Sequence, residues 1–231
     1  LENGIFDCDH QGYIKVWILG KLAEYNIGWI CNLTELDLVG NQFTTLPESI
    51  KSLTNLTELD LGGNDLTVLP ESIGNLTNLT SLDLRDNQFT TLPESLGNLT
   101  NLTELNLECN DLTTLPEIIG NLTILTTLCL NQNQLTDIPE SIENLTHLTS
   151  LWLGENELTT LPESIGNLTN LTELYLFENQ ITTLPSQFFN LTKFPPKDIF
   201  LDNNPLSDET RNKIQERVVR ITTYVDEDDE E

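Results

Sequence analysis

The chain has 231 residues, enough for one domain or two small ones, and no run of 18 apolar residues that would predict a membrane span. Its 37 acidic and 10 basic residues give a formal net charge of −27. Such a charge disfavours nucleic acid and anionic lipid as partners and favours cationic ones, although it also serves solubility.

The first 32 residues are expected to form a cap. Between Tyr13 and Leu19, three branched apolar residues alternate with other side chains, which predicts a strand. The chain contains no methionine, so we expect Leu1 not to be the native start, and the lack of a visible signal peptide then says nothing about compartment.

Seven consecutive units of 23 residues follow, beginning at Leu33 and continuing without insertion to residue 193. Each unit has leucine at positions 1, 4 and 6, and the two-residue spacing of the last pair predicts a short strand with one buried face. Apolar residues at positions 18 and 21 are expected to point inward from a short helical segment. Because one unit cannot bury this face alone, the units are expected to stack around one continuous core.

Two more positions are the same in all seven units. A buried asparagine at position 9 can hydrogen-bond the backbone of neighbouring coils, and a proline at position 15 stiffens the turn without needing an amide partner. The asparagines are Asn41, Asn64, Asn87, Asn110, Asn133, Asn156 and Asn179, and the prolines run from Pro47 to Pro185.

These units resemble the leucine-rich-repeat family, whose pattern LxxLxLxxNxLxxLPxxIxxLxx is met almost letter for letter over residues 33–193. The resemblance implies an α/β solenoid: a right-handed horseshoe with a parallel β-sheet on the concave face and short helical or 3-10 segments on the convex face, capped at both ends. For function it implies only a curved ligand-binding module.

The C-terminal region is expected to close the solenoid. After a two-residue slip, Ile199, Leu201, Asn204 and Leu206 fill four repeat positions of a degenerate eighth unit, and Ser207 is expected to cap a short helix. The predicted division is an N-terminal cap (1–32), seven repeats (33–193), the eighth unit with its capping helix (194–223) and a solvated acidic tail (224–231).

The cysteine spacing suggests a disulfide. Cys8 and Cys31 are one repeat of 23 residues apart, so in a cap that keeps the register their Cα atoms lie about 5 Å from each other, within reach of a bridge. Two buried thiols in an irregular cap are the alternative. Cys109 and Cys129 occupy different repeat positions and are expected to be free. Sequons such as Asn55 favour a secreted glycoprotein, but the same letters belong to the repeat consensus.

Positions 3, 5 and 7 alternate with the buried leucines and are expected to line the concave face. They are largely acidic in the first three units, with like charges about 5 Å apart, and aromatic in the last units, where leucine already fills the core. The alternatives are a merely solvated surface, or rings covered by the C-terminal cap. We predict a partner-binding surface formed by Glu35, Asp37, Glu58, Asp60, Asp83, Glu104, Glu108, Asn131, Trp152, Tyr175 and Phe177.

The sequence lacks the residue patterns that are usual at catalytic sites. His10 and His147 are far apart along the stack, and no glycine-rich phosphate loop or Cys/His metal spacing occurs. We therefore predict a protein without enzymatic activity, cofactor or metal, which recognises a protein or peptide with a basic patch in an extracellular or cell-surface setting. One alternative is a structural surface that faces ice or mineral through threonines at positions 2, 12 and 22. Another is a cytoplasmic signalling scaffold, similar to the Ras-group leucine-rich-repeat proteins.

Overall fold

The structure is a computed structural model that describes residues 33–193, 198–217 and 221–222. The predicted N-terminal cap with its Cys8–Cys31 bridge, and the acidic tail at 224–231, lie outside the described residues and remain predictions. The two cysteines that are described, Cys109 and Cys129, are free, as expected.

Every repeat contributes one strand at positions 3 to 5, and all strands join one parallel sheet in chain order. The register is constant from β1 to β7, so each position lies beside the same position of the next repeat. The strands are β1 (Glu35–Asp37), β2 (Glu58–Asp60), β3 (Ser81–Asp83), β4 (Glu104–Asn106), β5 (Thr127–Cys129), β6 (Ser150–Trp152), β7 (Glu173–Tyr175), β8 (Asp198–Phe200) and β9 (Ile221–Thr222).

The return path of each repeat contains a short 3-10 helix that begins directly after the position 15 proline. Pro47 has an extended backbone with φ −73°, and its carbonyl accepts a hydrogen bond of 3.0 Å from the Ile50 N–H. Proline therefore starts the turn where no amide donor is needed. The 3-10 helices are Glu48–Ser52, Glu71–Asn75, Glu94–Asn98, Glu117–Asn121, Glu140–Asn144, Glu163–Asn167 and Ser186–Lys193.

The core runs continuously between the sheet and the 3-10 helices. From the second repeat on, the apolar residues at positions 1, 4, 6, 18 and 21 are buried throughout, and Leu105 in the fourth repeat is 1% exposed. This placement confirms the predicted register and the solenoid fold.

The position 9 asparagines tie neighbouring repeats together. Asn110 Oδ1 accepts a hydrogen bond of 3.1 Å from the Phe89 N–H in the preceding repeat. Asn110 Nδ2 donates to the carbonyl of Leu84 in that repeat (3.0 Å) and to the carbonyl of Leu107 in its own (3.1 Å). Asn204 makes the same set of bonds in the eighth unit. The predicted role of these side chains is confirmed.

The residue before each asparagine, at position 8, has a left-handed backbone in all eight repeats. Such a conformation suits glycine and strains other residues. Glycine occupies the position in the first two repeats (Gly40 and Gly63), whereas the later repeats carry Asp86, Cys109, Gln132, Glu155, Glu178 and Asn203.

The C-terminal helix Asp208–Arg217 packs against the end of the core through Ile214. Ser207 Oγ accepts a hydrogen bond of 3.2 Å from the Thr210 N–H, which is the expected N-cap. After the helix, β9 adds a further parallel strand beside β8, which the sequence did not predict. Within the described ranges, no helix is long and apolar enough to cross a membrane.

The threonines at position 2 have a structural role. The Thr80 hydroxyl donates to the Thr57 carbonyl (3.1 Å), and the Thr103 hydroxyl donates to the Thr80 carbonyl (3.0 Å). These hydroxyls therefore bond to the backbone of the preceding coil rather than to each other. The bonds involve position 2, one of the three threonine positions of the predicted alternative surface.

Candidate functional site

Positions 3, 5 and 7 lie together on one face of the sheet. In β1, Glu35 and Asp37 are exposed on either side of the buried Leu36. Because this alternation and the register repeat in every strand, the predicted site residues form three columns along the sheet. The acidic half consists of Glu35, Asp37, Glu58, Asp60 and Asp83, and the aromatic half consists of Trp152, Tyr175 and Phe177.

The acidic half forms one shallow depression. The register sets Glu35 beside Glu58, and Asp60 between Asp37 and Asp83. The lining consists of Glu35, Leu36, Asp37, Glu58, Leu59, Asp60, Ser81 and Asp83. No group of three or more side chains with the arrangement of metal ligands occurs in the part of the chain that the structure describes.

The aspartates at position 5 also support the local backbone. Asp60 Oδ1 accepts a hydrogen bond of 2.9 Å from the Gly62 N–H, and Asp83 Oδ1 accepts one of 3.0 Å from the Arg85 N–H. Asn106 does the same for Glu108 at 3.1 Å. This role was not predicted from the sequence, although the side chains of aspartate and asparagine commonly accept a hydrogen bond from the N–H two residues further along.

Arg85 is the single basic residue at positions 3, 5 and 7 of the eight described repeats. Its Nη1 lies 3.6 Å from Asp83 Oδ2. It reaches over Gly62, where an added Cβ would lie 3.2 Å from Arg85 Cγ and 3.1 Å from Asp60 Oδ1. Burial nevertheless raises the pKa of Asp83, and the negative charge of Asp60 adds to this effect. One arginine therefore only partly neutralises the acidic half.

The middle of the sheet joins the two halves with fewer charges. Glu104 is exposed and Glu108 is partly buried. Asn131 has a structural bond, because its Oδ1 accepts from the Gly154 N–H at 2.8 Å. Burial, together with the charge of Glu108, raises the pKa of Cys129 to about 12, so this thiol stays protonated and unreactive.

The aromatic half is a packed cluster with one more member than the sequence predicted. The ring centroids of Trp152 and Tyr175 are 5.4 Å apart with planes at 67°, and those of Tyr175 and Phe177 are 6.5 Å apart at 86°. Phe200 in β8 stacks on Tyr175 at 4.7 Å and 13°. Phe200 was not predicted, because positions 3, 5 and 7 were compared over the seven full units only, although Phe200 occupies position 5 of the eighth.

Glycine makes room for this cluster. An added Cβ on Gly154 would lie 2.5 Å from the Phe177 ring, so the ring occupies the space beside Gly154, just after β6. The rings are partly buried by each other in this way. The indole Nε1 of Trp152 is buried and has no hydrogen-bond partner among the described residues.

Two carboxylates border the rings. Glu173 and Asp198 occupy position 3 of β7 and β8 and lie beside each other in the register. Burial raises the pKa of the Tyr175 hydroxyl, and the charges of Glu173 and Asp198 contribute to the shift. The Ser150 hydroxyl donates a hydrogen bond of 3.0 Å to Glu173 Oε2.

Comparison with known proteins agrees with this architecture. A family profile described as a leucine-rich repeat region matches residues 18–114 and 105–193. The chain belongs to the leucine-rich-repeat family. A search of curated proteins found no match.

Solved structures share the leucine-rich-repeat fold. A protein of this family from Leptospira interrogans is 37% identical, with a TM-score of 0.78, over 84% of this chain and 49% of that one. The ectodomain of the plant membrane receptor kinase GASSHO1/SCHENGEN3 from Arabidopsis thaliana, in complex with CASPARIAN STRIP INTEGRITY FACTOR 2, is 39% identical (TM-score 0.67; 78% and 22% covered). The PEPR1–AtPEP1 complex is 30% identical (TM-score 0.70; 84% and 32% covered). The chain thus spans half or less of each of these proteins.

Proposed function

We propose that the face of the sheet that carries the acidic and aromatic halves binds a protein or peptide with a basic patch, and that the protein has no catalytic role. The observation that carries this proposal is the split composition of one continuous face, where Arg85 is the single basic residue at positions 3, 5 and 7 of the repeats that the structure describes. The complexes of two proteins with the same fold, one with CASPARIAN STRIP INTEGRITY FACTOR 2 and one with AtPEP1, support such a use of the fold.

The two halves are expected to contribute differently. Exposed carboxylates steer the encounter with a cationic partner, and salt screens them, so the acidic half should control the association rate. Rings that lose water on binding hold a partner in place, so the aromatic half should control the dissociation rate.

The test is a random peptide library selected against the protein, followed by binding kinetics of the selected peptides. Asp60→Asn with Asp83→Asn should slow association and flatten its dependence on salt. Trp152→Ala with Tyr175→Ala should speed dissociation by about 30-fold, the equivalent of about 2 kcal/mol for a hot spot.

A matched control removes two charges elsewhere. Glu48 and Glu94 are exposed and follow the position 15 proline, away from the sheet. Glu48→Gln with Glu94→Gln should leave the kinetics unchanged. If both sheet-face double variants bind like the parent, or if the control weakens binding as much as they do, the sheet face is not the site.

We also propose that the protein acts outside the cell or at its surface. The Arabidopsis relative is an ectodomain, and a Cys8–Cys31 bridge would need an oxidising compartment. Thiol titration of the denatured, unreduced protein should then find two of the four cysteines free. A count of four thiols would remove this argument and favour the cytoplasmic alternative.

A further inference from the structure

The side chain of Arg85 folds back over the preceding repeat. An added Cβ on Gly62 would lie 3.2 Å from Arg85 Cγ and 3.4 Å from Arg85 Nε, so the stem of the arginine occupies the space above this glycine. Gly62 is buried, although position 7 belongs to the outer face of the sheet. Glycine at this position therefore makes room for the arginine of the next repeat, as Gly154 does for Phe177.

This conformation places the guanidinium of Arg85 beside two carboxylates of the acidic half. Arg85 Nη1 lies 3.6 Å from Asp83 Oδ2. The same added Cβ on Gly62 would lie 3.1 Å from Asp60 Oδ1, so the arginine stem and the Asp60 carboxylate flank the same space. Burial raises the pKa of Asp83, and the negative charge of Asp60 adds to the shift. A cation between the two carboxylates therefore reduces their repulsion.

The contact is weak enough for the guanidinium to be replaced. At 3.6 Å it is an ion pair rather than a hydrogen bond, and the Arg85 side chain is 46% exposed. Ion pairs between exposed side chains contribute little to stability, because water solvates both charges. Arg85 can therefore turn its guanidinium into water when another cation approaches Asp83.

We propose that Asp60 and Asp83 form a subsite for a basic side chain of the partner, and that Arg85 occupies this subsite in the free protein. This step rests on the proposed function of the sheet face. The resident guanidinium shows that a planar cation fits beside Asp83 and above Gly62. Because like charges repel each other at this range, a basic residue of the partner and Arg85 exclude each other from the subsite. Arg85 is thus an intramolecular competitor that lowers the affinity of the acidic half for basic partners.

The experiment uses two capped peptides, acetyl-Gly-X-Gly-amide, in which X is arginine or citrulline. Citrulline keeps the shape of arginine and lacks its charge. Titration is followed by NMR at the amide of Gly62, so binding elsewhere on the acidic surface is not counted. Arg85→Gln should strengthen binding of the arginine peptide about threefold, because the subsite no longer holds a cation, and should leave the citrulline peptide unchanged. In the parent protein the Nε–H signal of Arg85 should shift as the arginine peptide binds, because the guanidinium leaves Asp83.

Two further variants locate the effect. Lys51→Gln removes a positive charge from an exposed residue of the first 3-10 helix, across the core from the sheet, and should leave binding at Gly62 unchanged. Asp83→Asn combined with Arg85→Gln should abolish the threefold gain, because the subsite has lost a carboxylate.

Four results would overturn the assignment. Arg85→Gln could leave or weaken binding of the arginine peptide, or strengthen the citrulline peptide as much. Lys51→Gln could strengthen binding as much as Arg85→Gln, which would make the effect one of net charge. The gain could survive the loss of the Asp83 carboxylate. Finally, the Arg85 signal could stay unchanged while the arginine peptide binds.

The outcome is separable from that of the proposed function. If the arginine peptide fails these tests while library peptides still depend on the sheet face, the subsite is wrong and the binding face stands. If the arginine peptide passes them while no selected library peptide depends on the sheet face, the cation subsite stands and the proposed function is wrong.

Discussion

Replacing Asn110 by alanine removes the side chain that joins the third and fourth repeats. The Phe89 N–H then loses its acceptor in a fully buried environment. The carbonyls of Leu84 and Leu107 each lose a donor, although Leu84 keeps the bond from Asn87 (3.1 Å) and Leu107 keeps the bond from Asn133 (2.9 Å). An orphaned buried N–H costs about 1–3 kcal/mol and two lost donor bonds about 1 kcal/mol each, so we expect the free energy of unfolding to fall by about 3–5 kcal/mol.

The assay is equilibrium unfolding in urea followed by far-UV circular dichroism. Asn101→Ala is the matched control, because this exposed asparagine makes one bond, from Nδ2 to the Thr77 carbonyl at 2.8 Å. It should cost less than about 1 kcal/mol. If Asn110→Ala loses no more stability than Asn101→Ala, the hydrogen bonds of the position 9 asparagines do not hold the repeats together.

Three further substitutions test the core, the acidic half and the strained turns by the same assay. Leu105→Ala empties a buried leucine site and should cost about 2–5 kcal/mol; a loss under about half a kcal/mol would place the column at the surface. Asp83→Asn should stabilise the protein by about 0.5 kcal/mol at pH 7, because asparagine serves the same backbone bond in the next repeat and removes a like charge. Folding raises the pKa of Asp83, so its charged carboxylate destabilises the folded state at pH values above that raised pKa. The stabilisation by Asp83→Asn should therefore disappear as the pH falls below the pKa of an ordinary aspartate, where both side chains are neutral. A stabilisation that does not change with pH would contradict this explanation. Glu178→Gly should stabilise by about 0.5 kcal/mol, because glycine adopts φ 52° without strain; destabilisation would show that the side chain matters more than the backbone.

The fold could be predicted because each of the seven full repeats carries the same pattern of apolar residues, asparagine and proline. The leucines at positions 4 and 6 define which face of each strand is buried, because a register shift of one residue would turn the leucines of that strand to the opposite face. The N-cap at Ser207 could also be predicted from the sequence, because an N-cap depends on a few adjacent residues. The strand β9 could not be predicted, since two residues after a helix show no periodicity and pair with Ile199 and Phe200, which are distant along the chain.

The sequence predicted which residues share the face of the sheet, but not the contacts that their side chains make there. Reading positions 3, 5 and 7 along the stack placed Trp152 beside Tyr175, and the register agrees. It did not reveal that Asp60 bonds its own backbone, or that Phe177 lies over Gly154, because both depend on side-chain conformation. Phe200 was missed because the comparison of these positions stopped at the seventh unit, although the alignment of Ile199 and Leu201 already puts Phe200 at position 5 of the eighth. The glycines at Gly40 and Gly63 were an available sign of the left-handed turn.

The asparagine ladder has a direction. The Leu66 N–H is accepted by Asn87 one repeat later, and the Ile181 N–H by Asn204 in the eighth unit. A repeat emerging from the ribosome therefore stays incomplete until the asparagine of the following 23-residue unit has also emerged. The two ends of the asparagine ladder therefore differ. Loss of Asn204 would leave the buried Ile181 N–H of the seventh repeat without its acceptor. Loss of the first repeat would leave Asn64 with an unused acceptor, Oδ1, while its Nδ2 still donates to the Leu61 carbonyl at 2.8 Å.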